Sequence, residues 1–206
     1  MRRFCFLAAM SFTAVAFADM RITEWAYSAS NGEFVEFTNV GASPISLVGW
    51  SYDDDSRLAG VVDLSAFGTV EPGESVILTE AVEADFRLAW GLPSLVKVIG
   101  GNTTNLGRND EINLFDAGST LVDRLTFGDQ TFVGSIRTQN FSGNPGTPGV
   151  LGTNNVFGWV LSASGDSFGS VFSSFGDVGN PGVYVPEPSS LALLSISGLA
   201  LARRRR

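Results

Sequence analysis

The chain has 206 residues, 44% of them hydrophobic with 16 Phe and 4 Trp, alongside 24 Gly, 8 Pro and a formal net charge of −8. So much apolar material excludes a disordered chain, and the length suits one domain with appendages. No histidine occurs anywhere, which excludes Ser-His-Asp and Cys-His catalysis and His-ligated zinc, and the negative charge argues against nucleic acid as a partner.

The N-terminus reads MRRFCFLAAMSFTAVAFAD. Arg2 and Arg3 supply a basic region, Phe4 to Phe17 an apolar one, and Ala16-Phe17-Ala18 a small-residue cleavage site. Residues 1–18 are therefore expected to be a signal peptide, cut between Ala18 and Asp19. The apolar run falls short of the ~20 residues that a membrane span needs. Cys5 leaves with the signal peptide, so the exported chain has no cysteine and no disulfide framework.

The body reads as strands. Arg21 to Tyr27 alternates, with Thr23, Trp25 and Tyr27 on one side and Ile22, Glu24 and Ala26 on the other. Asn31-Gly32 is a two-residue hairpin signal, and Glu33 to Asn39 alternates again, with Val35 and Phe37 opposite Phe34 and Glu36. After the turn at Gly41 to Pro44, Ile45, Leu47 and Gly49 alternate with Ser46, Val48 and Trp50, which together predict an antiparallel meander. Ser75 to Thr79 is a short apolar strand. The period then changes: Val82, Phe86, Ala89 and Trp90 share one helical face, Thr79 is the expected N-cap, and Gly91 and Pro93 end the helix. Leu95 to Ile99, Glu111 to Asp116 and Thr120 to Gly128 are further strands, the last two joined at Ala117-Gly118.

Short strands at this turn spacing predict a β-sandwich. EFVEFTNVGASPISLVGWSYDD (Glu33 to Asp54), GESVILTEAVEADF and NDEINLFDAGSTLVDRLTFGD resemble the lamin-tail domain. That resemblance implies an immunoglobulin-like β-sandwich over residues 19–130 that serves as an interaction module, and it carries no catalytic residues. Residues 131–184 are rich in Gly, Ser and Asn. They also hold Phe157, Trp159, Val160, Phe168, Val171, Phe172 and Phe175, too many apolar side chains for a solvated linker, so one or two further strands are expected to finish the sandwich beside an extended loop.

The chain ends VPEPSSLALLSISGLALARRRR. Residues 189–202 predict a short apolar helix of roughly 21 Å, and the arginines after it stay on the cytoplasmic side. Pro186-Glu187-Pro188, the apolar helix and Arg203, Arg204, Arg205 and Arg206 resemble the bacterial PEP-CTERM protein-sorting tail over 185–206. The resemblance implies transient insertion in the inner membrane through this helix, recognition by an exosortase, and delivery to the cell surface or an exopolysaccharide matrix. Without the six terminal arginines the body keeps 7 basic residues against 21 acidic ones, near −14, which repels anionic polymers unless cations bridge them.

Candidate chemistry is sparse. Asp53, Asp54 and Asp55 could ligate Ca²⁺ but lack EF-hand spacing, and adjacent turn aspartates are more commonly just solvated. No other cofactor is expected. Glu33 and Glu36 could serve a glycosidase, yet their spacing puts them on opposite faces of a strand; Glu24 could lie across the hairpin from one of them, as a face or edge carboxylate. Asn109-Asp110-Glu111 is another acidic turn, and Trp25, Trp50, Trp90 and Trp159 sit where core residues belong. The expected function is an exported, non-enzymatic module, structural or adhesive, with exopolysaccharide or surface proteins as partners. The alternatives are a carboxylate-based glycoside hydrolase and a calcium-dependent carbohydrate-binding module.

Overall fold

The computed structural model describes residues 19–186, so the signal peptide up to Ala18, the helix 189–202, Glu187, Pro188 and the terminal arginines lie outside the described residues. The first half runs β1 (Met20–Ala26), β2 (Phe34–Asn39), β3 (Ile45–Ser46), β4 (Ser51–Asp53), β5 (Val62–Asp63), β6 (Thr69–Val70) and β7 (Ser75–Thr79). Helix α1 (Glu83–Trp90) follows, then β8 (Lys97–Ile99), β9 (Asp110–Phe115), β10 (Leu121–Phe127), β11 (Gly143–Pro145), β12 (Trp159–Leu161), β13 (Val171–Phe172) and β14 (Val178–Gly179). A six-stranded sheet, β12-β11-β1-β2-β7-β8, faces a four-stranded sheet, β10-β9-β4-β5. The fold is an all-β sandwich of immunoglobulin-like type with one short helix.

Alternation in β2 works as its sequence predicts. Val35 and Phe37 enter the core between the sheets with Trp25, Leu47, Trp50, Ile112 and Leu125. Phe34 points to the outer face, where Ile77 joins it and α1 covers both with Phe86 and Trp90. Phe34 meets Phe86 and Trp90 edge-on at 5.5 and 5.9 Å between ring centroids, a favoured arrangement for ring quadrupoles. Replacing the fully buried Phe37 by Ala is expected to cost about 3–5 kcal/mol in chemical denaturation. A loss below ~1 kcal/mol would mean that the face is solvated.

β1 departs from simple alternation. The register steps from Ile22 opposite Phe37 to Glu24 opposite Glu36, leaving Thr23 as the extra residue of a bulge. Ile22 therefore shares the core with Trp25, while the Thr23 hydroxyl turns outward to the Glu36 carboxylate at 2.6 Å. Asp123 of the opposite sheet accepts the Ile22 N–H at 3.0 Å.

Other expectations shift as well. The β1–β2 connection is longer than a two-residue hairpin, turning where Gly32 N–H meets the Ala29 carbonyl. The meander breaks after β2, because β3 pairs with β6 and β2 takes β7 as its second neighbour. Trp50 lies in the same core as Leu47, since the Trp50 N–H closes a turn on the Leu47 carbonyl at 3.0 Å. β8 runs parallel to β7, with α1 as the crossover that a parallel pair requires. Thr79 does not cap α1: its hydroxyl donates to the Glu33 carbonyl at 2.7 Å and accepts from Ala81 N–H, and Val82 stands at the N-cap without a side-chain bond.

Residues 131–184 hold four short strands where one or two were expected. β11 pairs with β1 and β12 with β11, so the segment widens the larger sheet. Gly143 permits this: a Cβ there would lie 2.6 Å from the Trp25 ring. Trp159 meets Trp25 edge-on at 4.7 Å.

Candidate functional site

The structure brings the two acidic turns together. β4 ends at Asp53, the chain turns through Asp54 to Arg57, and β9 begins beside it at Asp110. Between them lies a cleft of about 350 Å³ lined by Asp55, Arg57, Asn109, Asp110, Glu111, Thr126 and Phe132 among others. Arg57, held in the left-handed region at φ 58°, forks onto Glu111 with Nε at 2.7 Å and Nη2 at 2.5 Å. The Thr126 hydroxyl adds a bond to Glu111 at 3.0 Å. Arg57 thereby holds the Glu111 carboxyl below its usual range. Burial, with repulsion from Asp54 and Asp55, raises Asp110 against the backbone N–H groups of Gly107 and Glu111 that it accepts. This cleft can hold a polar group between a cation and carboxylates; it presents no activated nucleophile.

The three consecutive aspartates diverge. Asp53 is buried, and its Oδ2 accepts from the Ser56 hydroxyl at 2.7 Å and the Leu58 N–H at 2.6 Å. Asp54 accepts the Ser56 N–H, whereas Asp55 is exposed. Among the described residues, no group of three or more His, Cys, Asp or Glu converges to hold a metal ion. Calcium is accordingly expected to shift the melting temperature no more than NaCl of equal ionic strength, measured on the wild type and on Asp53→Asn/Asp55→Asn. A calcium-specific rise in the wild type that the variant loses would make these aspartates calcium ligands.

The candidate glycosidase carboxylates are all buried. Glu33 lies across the strand from Glu36, as expected; its Oε2 accepts the Leu106 N–H at 2.6 Å, and burial pushes its carboxyl up to about 8. Glu24 stands directly opposite Glu36 across β1 and β2, yet both have zero exposed surface. They are not face or edge carboxylates, because residues 163–183 lie over them: Asn180 N–H donates to Glu24 at 2.8 Å and Gly182 N–H to Glu36 at 2.6 Å. All four tryptophans singled out in the sequence are core residues.

Exposed aromatics are the feature that sequence reasoning missed. Of the apolar residues in 131–184 expected to be covered, only Trp159 and Phe168 are buried. Phe157, Phe172 and Phe175 are 59%, 63% and 59% exposed, and Phe141 is 43% exposed. Among the described residues, every exposed phenylalanine lies between 141 and 175. The run GDSFGSVFSSFGD carries the signal: Gly and Ser supply little apolar surface to cover its phenylalanines, and of the three only Phe168 is buried.

Comparison with known proteins agrees with this architecture. Residues 13–129 match the family model described as Lamin Tail Domain, and residues 185–206 match the PEP-CTERM protein-sorting motif. The first match opens inside the expected signal peptide and ends before the segment that bears the exposed phenylalanines. No curated protein and no solved structure matches the chain. The sorting motif marks an exported protein recognised by exosortase-type machinery. Because the domain match covers more than half of its length, the chain belongs to the lamin tail domain family and carries a PEP-CTERM sorting motif at its C-terminus.

Proposed function

We propose that the protein is a non-enzymatic adhesive module of the cell surface or exopolysaccharide matrix, and that it binds through the Phe-bearing segment 141–175. The observation that supports this reading is the concentration of exposed phenylalanine there, against a 19–130 region whose described phenylalanines are all buried. Exposed apolar side chains grouped on one segment mark contact surfaces. The acidic body favours a neutral polymer or a protein surface over an anionic one. Burial of Glu24, Glu33 and Glu36 weighs against hydrolysis, which needs two carboxylates ~5–9.5 Å apart around an open substrate site.

The test is retention of the exported protein in the matrix fraction of the producing cells, followed by intact-mass measurement. Phe172→Ser/Phe175→Ser is expected to move the protein to the free medium with an unchanged melting temperature. Equal retention of variant and wild type would sink the reading.

A further inference from the structure

We propose that Glu24 and Glu36 form a proton-operated latch that holds residues 163–183 on the outer face of the larger sheet, and that ionisation of the pair releases this cover. The two side chains project from directly opposed positions of β1 and β2, and neither has exposed surface. Glu36 accepts from the Thr23 hydroxyl at 2.6 Å and from Gly182 N–H at 2.6 Å. Glu24 Oε1 accepts from the Ser142 hydroxyl and from Asn180 N–H at 2.8 Å, while its Oε2 has no partner. Two amides of the cover, two residues apart, thus each grip one carboxylate. Their approach is close: a Cβ on Gly179 would lie 2.8 Å from Glu24 Oε1.

Among the described residues, no basic side chain answers the pair. Lys97 of β8 is spent on Glu74 and the Thr69 carbonyl, Arg87 of α1 on Glu83 and two carbonyls, and Arg21 of β1 on Asp19 and the Val122 carbonyl. Around the carboxylates β7 contributes Ser75, β11 Asn144, and the segments flanking β11 and β12 contribute Ser142 and Ser162, all uncharged. The cover itself brings only Asp166, which repels Glu24, and Asp177, which accepts from Ser30. Two buried like charges without a counterion cost more than such a site can offset, so a proton must stay on the pair. The pair shares that proton, and the partnerless Oε2 marks Glu24 as the carboxyl whose charge is less well satisfied. Burial raises both carboxyls, and repulsion from Glu36 adds to the rise at Glu24.

Release has a mechanical consequence, and this step rests on the sorting-motif match. The cover runs directly into residues 185–206. Freeing residues 163–183 adds roughly 70 Å of extended chain between the sandwich and the sorting motif. The reach of the body from its anchoring end therefore depends on pH.

Hydrogen exchange of the purified full-length protein tests the latch, with rates corrected for base catalysis. Protection of the Asn180 and Gly182 amides is expected to fall about tenfold or more between pH 5 and pH 9 relative to Ile112 and Leu125 in the opposite sheet, the effect of one unit of difference in proton affinity. In Glu24→Gln, which cannot ionise, the ratio is expected to stay flat. A flat ratio in the wild type overturns the proposal whether or not the variant folds, as does a full wild-type response in Glu24→Gln. Recovery of protection at pH 9 with millimolar Ca²⁺ but not Na⁺ would also overturn it, assigning the pair to a cation instead.

Discussion

A chain cut after Gln130 is expected to lose cooperative folding, although it retains almost all of the matched family region. The cut removes β11, the neighbour of β1 in the larger sheet, and leaves β1 as an open edge. It strips Trp25, fully buried in the intact protein, of the Trp159 ring and the Gly143 backbone. It also uncovers Glu24 and Glu36, whose amide donors Asn180 and Gly182 are gone. Trp159→Ala makes the same argument in a single residue. The loss of a buried Trp and of an edge-on ring pair is expected to cost about 3–5 kcal/mol in chemical denaturation. An unchanged midpoint for residues 19–130, or a cost under ~1 kcal/mol for Trp159→Ala, would make residues 131–186 an appendage. Otherwise the folding unit is 19–186, and the segment that bears the exposed phenylalanines is built into the sandwich that presents it.

Elements whose information is local were legible in the sequence. Val35 and Phe37 alternate with Phe34 and Glu36 because β2 is regular over its length. Phe86, Ala89 and Trp90 follow helical spacing because one face of α1 meets the sheet. What failed depended on partners far along the chain. Thr23 looks like any strand residue until the Asp123 carboxylate and the Glu36 side chain make a bulge there favourable. β3 has two residues and no face of its own, so its pairing with β6 is decided by the core that Ile45 and Val70 share.

Acidic residues were the hardest to place. Reading Asp53 as solvated and Glu24 as a face or edge carboxylate is the sound default, since charged groups are rarely buried unless paired. Glu24, Glu33 and Asp123 are buried where backbone N–H groups from distant segments reach them, and Asp53 where its own turn folds back through the Leu58 N–H and the Ser56 hydroxyl. The exposed phenylalanines invert the same default, and there the Gly- and Ser-rich setting was the available clue.

The buried carboxyls also set an unusual pH profile. Glu33 keeps its proton up to about 8 in the folded chain and Asp123 up to about 6, each raised chiefly by burial, whereas the ordinary values are 4.5 and 3.8. The folded state thus binds more protons than the unfolded state between those limits, so stability falls as pH rises through the window. Glu111, held low by Arg57, acts in the opposite sense, but only at and below the usual carboxylate range. Stability is therefore expected to peak near pH 4–5, below the common optimum of about 5–8. For Glu33 the loss between pH 4.5 and 8 is on the order of 3 kcal/mol once partial solvent screening is allowed for. Glu33→Gln keeps an oxygen to accept the Leu106 N–H and has no proton to lose. Its denaturation midpoint is expected to be no higher than the wild type's at pH 4.5 and clearly higher at pH 8. Parallel curves for the two proteins would show that Glu33 already ionises in the folded chain at ordinary pH, and that water reaches it despite its burial.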